Sequence, residues 1–167
     1  MPIRAPRDSE WATRKLLIDK RLRAAGWRVT PFAAGKPLSA MDKCAIEEYP
    51  TANGPADYAL VVDGQILGVV EAKKLSVGPN NVLTQAARYA SGIVQSELSF
   101  GSHGVPFLYA TNGEVLRFHD VRHDLNVSRD VAGFHTPNAL LEFLGRDLEA
   151  GIAALGSLPN DSERLRP

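Results

Sequence analysis

Several things are scarce in this chain, and each scarcity removes a class of protein. Cys44 is the only cysteine in 167 residues, so no internal disulfide can form and nothing in cysteine usage points to an oxidising compartment. No apolar run approaches the roughly 20 residues of a membrane span, and the N-terminus lacks the apolar core of a secretion signal. Those absences predict a cytoplasmic protein with no membrane partner. Nor is there a charge excess: 19 Lys and Arg balance 19 Asp and Glu, so the total gives no reason to expect nucleic acid. Internal repeats and low-complexity tracts are absent too.

What is present is enough apolar residue, 44% of the chain, for one domain with a real core. A single domain over residues 1–167 is expected. The charges are also unevenly placed. Nine Lys and Arg stand against Asp8, Glu10 and Asp19 between Met1 and Lys36, whereas Pro37 to Glu71 holds six carboxylates against Lys43. A basic end beside an acidic centre suits a phosphate-binding approach to a metal site; a solvated helix with uneven charge suits it as well.

Ser9 can cap a helix with Glu10 in its first turn, on which Trp11, Ile18, Leu22 and Ala25 share a face, ended by Gly26. Trp27 to Pro50 is punctuated by Pro and Gly and predicts a short strand at each end. Two β-rich runs follow, Asp57 to Val62 and Gln65 to Lys73, joined at Asp63-Gly64, a strong hairpin signal. Both alternate sets of the second run are apolar, so this strand is covered on both faces. A helix from about Asn80 to Leu98, a hairpin of Val105 to Ala110 with Glu114 to His119, and a helix capped by Thr136 with Pro137 in its first turn complete the order. The fold class is α/β, a mixed central sheet flanked by helices.

The strand "GPADYALVVDGQILGVVEAKK" carries Asp57, Glu71 and Lys73 in an otherwise apolar setting. Glu71 and Lys73 leave the same face, and burying an unpaired carboxylate costs several kcal/mol. Two arrangements meet that cost: a buried Glu71–Lys73 ion pair, or a divalent cation shared by Asp57 and Glu71, with the Ala72 carbonyl a third oxygen and Lys73 left for chemistry. Two hard carboxylates leave Mg²⁺ positions for water and a phosphate oxygen, which suits phosphodiester hydrolysis. A plain two-residue turn at Asp63-Gly64 sets Asp57 opposite Val70, on the wrong face from Glu71. Convergence needs an extra residue, and a type I turn with Gly64 as a G1 bulge, pairing Val61 with Gln65, is expected; an irregular bend at Gly54-Pro55 is the other way to turn Asp57 into place.

This run, followed by "TQAARYA", resembles the N-terminal nuclease domain of the type I restriction enzyme R subunit, the motor and endonuclease subunit, in the PD-(D/E)xK superfamily. Asp57 matches the first acidic position, Glu71 and Lys73 the Glu-x-Lys pair, and Gln85 with Tyr89 the Gln-x-x-x-Tyr motif. Glu10 in "SEWATRKLLIDKRLRAAGW" matches the acidic residue of the leading helix, and "LYATNGEVLRFHD" and "FHTPNALLEFL" extend the likeness over nearly the whole chain. Pro55-Ala56-Asp57 departs from the superfamily's Pro-Asp. The resemblance implies a Mg²⁺-dependent endonuclease domain acting on double-stranded DNA. In it Asp57, Glu71 and Glu10 would hold the metal, Lys73 would serve the nucleophile, and Gln85 and Tyr89 would position Lys73 or the phosphate. It also implies modification and specificity subunits as partners, and a helicase motor, absent from this chain, that alone would use ATP. No Gly-x-x-x-x-Gly-Lys-Ser/Thr loop occurs here. The terminal Leu165-Arg166-Pro167 is similar to the boundary before that motor and is expected to mark a fragment, whose last stretch of about ten residues would be the linker towards the motor. Two alternatives stay open: a nuclease-fold docking and DNA-gripping module inactive in isolation, and a stand-alone resolvase or repair nuclease.

Other signals are set aside. His119 and His123, with Asp120 and Asp124, have the spacing of a helical zinc pair but leave a strand into a loop. Cys44 lacks a partner for nucleophilic chemistry. Arg14, Arg21 and Arg28 recur every seventh residue, and a solvated face is preferred to a phosphate-facing stripe.

Overall fold

The computed structural model describes residues 10–73, 82–93 and 103–146, with backbone alone at 10, 82 and 83. The leading helix is built in three pieces: α1 (Glu10–Thr13), a π-helical turn (Arg14–Ile18) and α2 (Asp19–Ala24). Gly26, at φ 89°, ends it, its N–H bonding the Arg23 carbonyl while the Trp27 N–H reaches back to Leu22, the Schellman pattern that glycine permits. One expectation fails here. Ile18 and Leu22 are buried as the spacing predicts, but Trp11 is 61% exposed and its neighbour Ala12 is buried in its place. A π turn takes about one residue more per turn than an α turn. Counting seven back from Ile18 at α pitch therefore lands one residue out of phase.

Seven strands form one sheet in chain order: β1 (Arg28–Pro31), β2 (Cys44–Thr51), β3 (Gly54–Val62), β4 (Gln65–Ala72), β5 (Phe107–Thr111), β6 (Leu116–Asp120) and β7 (Arg129–Asp130). β1 with β2 and β4 with β5 are parallel, and the remaining pairs are antiparallel. The β4–β5 connection carries α3 (Val82–Ser91), the crossover a parallel pair needs. That helix stops at Ser91, short of the expected Leu98, as the Gly92 N–H turns back to the Tyr89 carbonyl. α4 (Pro137–Leu144) starts as predicted, Thr136 accepting the Ala139 N–H at 3.2 Å. The stretch expected to hold a short strand at each end gives the four-residue β1 at one end and, longer than expected, the eight-residue β2 at the other. Of the single domain expected over 1–167, the proposed linker lies outside the described residues.

The sheet is buried on both sides. Ile18, Leu22 and Leu140 pack with Leu67, Val70 and Tyr109 on one face; Ala86 and Ala90 of α3 pack with Ile66, Val69 and Leu108 on the other. β4 is thus apolar on both faces, each fully buried Val or Leu contributing about 1.5–3 kcal/mol.

The β3–β4 hairpin differs from expectation in one respect. Asp63 (φ 49°) and Gly64 (φ 76°) are both left-handed, and Val62 pairs with Gln65; this is a plain two-residue type I′ turn. The extra residue lies further on. Val61 pairs with Ile66 but Leu60 with Gly68, so the register shifts at Leu67. The G1 bulge at Gly64 is replaced by a bulge on β4, because the turn closes against the preceding loop: the Gly64 N–H bonds the Met41 carbonyl and the Asp63 N–H bonds Asp42 Oδ1 at 3.0 Å.

Candidate active site

Beyond the bulge the pairing continues as Leu60 with Gly68 and Tyr58 with Val70. The same register sets Asp57 across from Glu71, and directly opposed residues project to one side. The ladder ends there, and the Asp57 carboxylate bridges the two strands: Oδ2 accepts the Ala72 N–H at 2.7 Å. Glu71, 2% exposed, takes the Lys73 ammonium on Oε1 at 3.0 Å, while the Lys73 N–H bonds the Thr111 carbonyl of β5. Asp57, Glu71 and Lys73 therefore meet at one end of the central strands. The ion pair weighed for Glu71 and Lys73 is present.

The basic leading helix closes over this end. Arg14 Nη1 lies 3.2 Å from Asp57 Oδ1 and also bonds Glu48 Oε1, and Nη2 lies 3.7 Å from Glu47 Oε1. Its guanidinium carbon is 5.2 Å from the centre of the Tyr58 ring. Lys15 bridges Glu47 and Asp19, the latter at 3.3 Å, and Asp19 Oδ1 accepts the Tyr58 hydroxyl at 2.6 Å. Burial alone would lower the pKa of Arg14, but hydrogen bonds to Glu48 and Tyr58 and the charge of Asp57 carry it above the ordinary value. Lys15 follows the same pattern through Glu47 and Asp19. Tyr58 is pushed up by burial and by its bond to Asp19, which keeps it a donor. The segregation of basic and acidic residues along the chain is thus largely used up within the molecule.

Sequence reasoning did not reach Arg14, Glu47 or Glu48 as parts of this end. Glu48 is left-handed at φ 53°, an uncommon state for a residue with a side chain, and the pairs Glu47–Tyr58 and Tyr49–Ala56 set it across from Asp57. The acidic excess between Pro37 and Glu71 was the available signal; the backbone conformation had none.

On α3, Gln85 Nε2 donates to the Tyr89 hydroxyl at 3.0 Å, as the i,i+4 spacing predicts. With its oxygen already accepting, the phenol has its own proton to give. The helix docks its last turn on the β2–β3 connection, where Asn53 Nδ2 bonds the Arg88 carbonyl at 2.7 Å. The backbone of Glu10 starts α1, and its side chain lies outside what is described.

Asp57 and Glu71 offer hard oxygen donors of the kind magnesium takes, with few enough protein ligands to leave room for water and substrate. The donor chemistry fits. Among the described residues no three His, Cys, Asp or Glu side chains are grouped to hold a metal; Arg14 stands between Glu48 and Asp57 as their shared cation.

The signals set aside have structural uses. His119 Nε2 meets the Asn126 carbonyl at 3.0 Å, and His123 Nδ1 accepts the Leu125 N–H. Buried Cys44 accepts from Arg28 at 2.8 Å and donates to the Asp42 carbonyl. The arginine repeat does not form one face: Arg14 is half-buried and binds carboxylates, Arg21 binds the carbonyls of Gly113, Glu114 and Ala132, and Arg28, exposed on β1, binds Cys44. No helix among the described residues is long and apolar enough to cross a membrane.

A mixed seven-stranded sheet with flanking helices, bearing an Asp and a Glu-x-Lys at one end of its central strands, is a restriction-endonuclease-like core. The chain belongs to the family described as the second domain of the type I restriction enzyme EcoKI endonuclease subunit, which residues 30–144 match. Over 80% of its length it is 29% identical to the type I restriction enzyme EcoKI endonuclease subunit of Escherichia coli (strain K12), of which it spans only 16%. A solved fragment assigned to an HsdR subunit of a type I restriction enzyme from Vibrio vulnificus YJ016 matches with a TM-score of 0.59 and 22% identity, over 81% of this chain and 25% of that one. This last likeness concerns the fold.

Proposed function

We propose that this chain is a PD-(D/E)xK nuclease domain that hydrolyses phosphodiester bonds of double-stranded DNA with Mg²⁺, as part of a type I restriction R subunit. The observation that carries the reading is the Asp57 carboxylate fixed on the Ala72 N–H at 2.7 Å, beside a Glu71 already bonded to Lys73 at 3.0 Å. Asp57 and Glu71 would hold the ion, with Glu10 a further ligand; bound there, magnesium supplies a more acidic water and a Lewis acid for the phosphoryl oxygen. Asp57 needs little reorganisation, because its backbone bond already orients it. Lys73 keeps its ammonium at the rim of the site, where it can orient the attacking water and neutralise charge growing on the phosphate. The Tyr89 hydroxyl, its oxygen engaged by Gln85, is free to donate to Lys73's neighbourhood or a phosphate oxygen. Modification and specificity subunits and an ATP-driven helicase motor would be its partners, in the cytoplasm.

The test is nicking of supercoiled DNA with Mg²⁺ or Mn²⁺ by the parent, Lys73→Ala and Asp57→Asn, with melting as the fold check. Both variants should lose nicking while remaining folded; equal cutting by Lys73→Ala would remove its catalytic role. A second reading, a docking and DNA-gripping module silent on its own, is favoured by Arg14 standing on Asp57 Oδ1. It expects metal binding without nicking by the isolated chain.

A further inference from the structure

A second cluster of charge lies at the other end of the sheet, separated from β4 by β5 and β6. Arg129 of β7 lies with its guanidinium carbon 5.2 Å from the centre of the Phe118 ring, and Arg146, just beyond α4, lies 4.7 Å from that of Phe143. The two rings are neighbours, 6.3 Å apart. Together they line a pocket of about 180 Å³, with Asp120 and Arg122 in its wall.

The local charge is decided pair by pair. Arg122 grips Asp120 in a two-pronged bond, Nε to Oδ1 at 2.9 Å and Nη2 to Oδ2 at 2.7 Å, so the one carboxylate among the described residues that line the pocket is already neutralised. Arg117 and Asp130, alongside, neutralise one another at 2.9 Å. Arg129 and Arg146 are exposed and have no carboxylate partner among the described residues. Among the described residues, two positive charges are left over at one concavity.

Stacking settles how they are presented. A guanidinium lying on an aromatic ring uses its face and keeps its N–H edge for an oxyanion, with less rotamer freedom to lose on binding. The pocket is smaller than the roughly 300 Å³ at which sites for drug-sized ligands begin. It suits a single tetrahedral oxyanion. A polymer of such anions reaches an exposed pocket of this kind without any one group being engulfed, and phosphates make up most contacts in DNA complexes.

We propose that Arg129 and Arg146 form a phosphate site that takes a backbone phosphate of duplex DNA, a grip separate from the Asp57 and Glu71 centre. The experiment titrates a duplex oligonucleotide into the 167-residue chain without divalent metal, reading anisotropy from about 50 to 200 mM salt. The parent is compared with Arg129→Gln/Arg146→Gln and with the double lysine variant; both sites are exposed, and melting checks the fold. The glutamine variant should bind at least tenfold more weakly at low salt. Its salt slope should be shallower by about 0.9 for each phosphate no longer neutralised, and the lysine variant should keep most of the slope. Unchanged affinity and slope in the glutamine variant would overturn the proposal and leave the pocket to an acidic protein segment. Saturation of the arginine Nε–Hε resonances by inorganic phosphate as tightly as by duplex would overturn the assignment to DNA. Because no metal is present, this result is independent of the nicking test at Lys73.

Discussion

Replacing Arg14 by Met keeps the apolar stem and removes the charge that Asp57, Glu47 and Glu48 share. Arg14 is 12% exposed in its side chain and Asp57 11%, so breaking this pair strands a carboxylate with little access to water, a loss of about 3–5 kcal/mol for a fully buried pair. Glu48 keeps water, Glu47 keeps Lys15, and Asp57 keeps the Ala72 N–H. The loss should therefore fall to about 2–3 kcal/mol, or about 4–12 °C in melting temperature for a domain of this size. A divalent cation should then offset more in the variant than in the parent. If removing the competing guanidinium tightens Mg²⁺ binding tenfold, the added stabilisation is about 1.4 kcal/mol at saturating ion. The assay is thermal unfolding followed by circular dichroism with and without Mg²⁺. A variant melting within about 1 °C of the parent, or one whose magnesium shift is no larger than the parent's, would refute the picture of Arg14 as a stand-in cation.

Two further perturbations test the frame around the site. Gly64→Ala puts a methyl group 3.0 Å from Ser39 Cα and 3.2 Å from the Leu38 carbonyl, at φ 76°. Urea denaturation should show a loss of about 2 kcal/mol with unchanged m-value, and a neutral result would mean the turn is not pinned against that loop. His135 is held below its ordinary pKa of 6.5 by burial and then by the charge of Arg129, with Nδ1 2.6 Å from the Tyr109 hydroxyl. The unfolded chain therefore takes up this proton first, and stability should fall as pH drops below about 6.5. His135→Asn, which can still accept from Tyr109, should flatten that part of the pH–stability curve; an unchanged slope would exclude His135 as its source.

Much of this architecture is readable from residue order. Asp63-Gly64 marks the hairpin, Thr136-Pro137 marks the start of α4, and the doubly apolar run from Ile66 to Ala72 marks a strand covered on both sides. Those features are local, so sequence carries them. The Glu71–Lys73 pair and the Gln85–Tyr89 bond were legible for the same reason, each being a short-range spacing, whereas the face that Asp57 shares with Glu71 hangs on an extra residue in β4. What stayed hidden depends on departures from ideal geometry. The π turn at Arg14–Ile18 shifts the phase of Trp11, the left-handed Glu48 has no compositional mark, and the bulge at Leu67 sits in a run where any residue would look equally apolar. The pairing of Arg14 with β2 and β3 joins residues more than thirty apart, and charge segregation alone could not say that the two blocks would neutralise each other.

The bulge at Leu67 makes chain length a determinant of chemistry. In most strands a slip of one residue is punished at once, because polar groups swing into the interior. β4 offers no such safeguard, since Val69, Val70 and Ala72 are all buried whichever way the strand is turned. Which way Glu71 faces is set by a count of residues between it and the turn, and an indel of one there could spare the fold while parting the two acids.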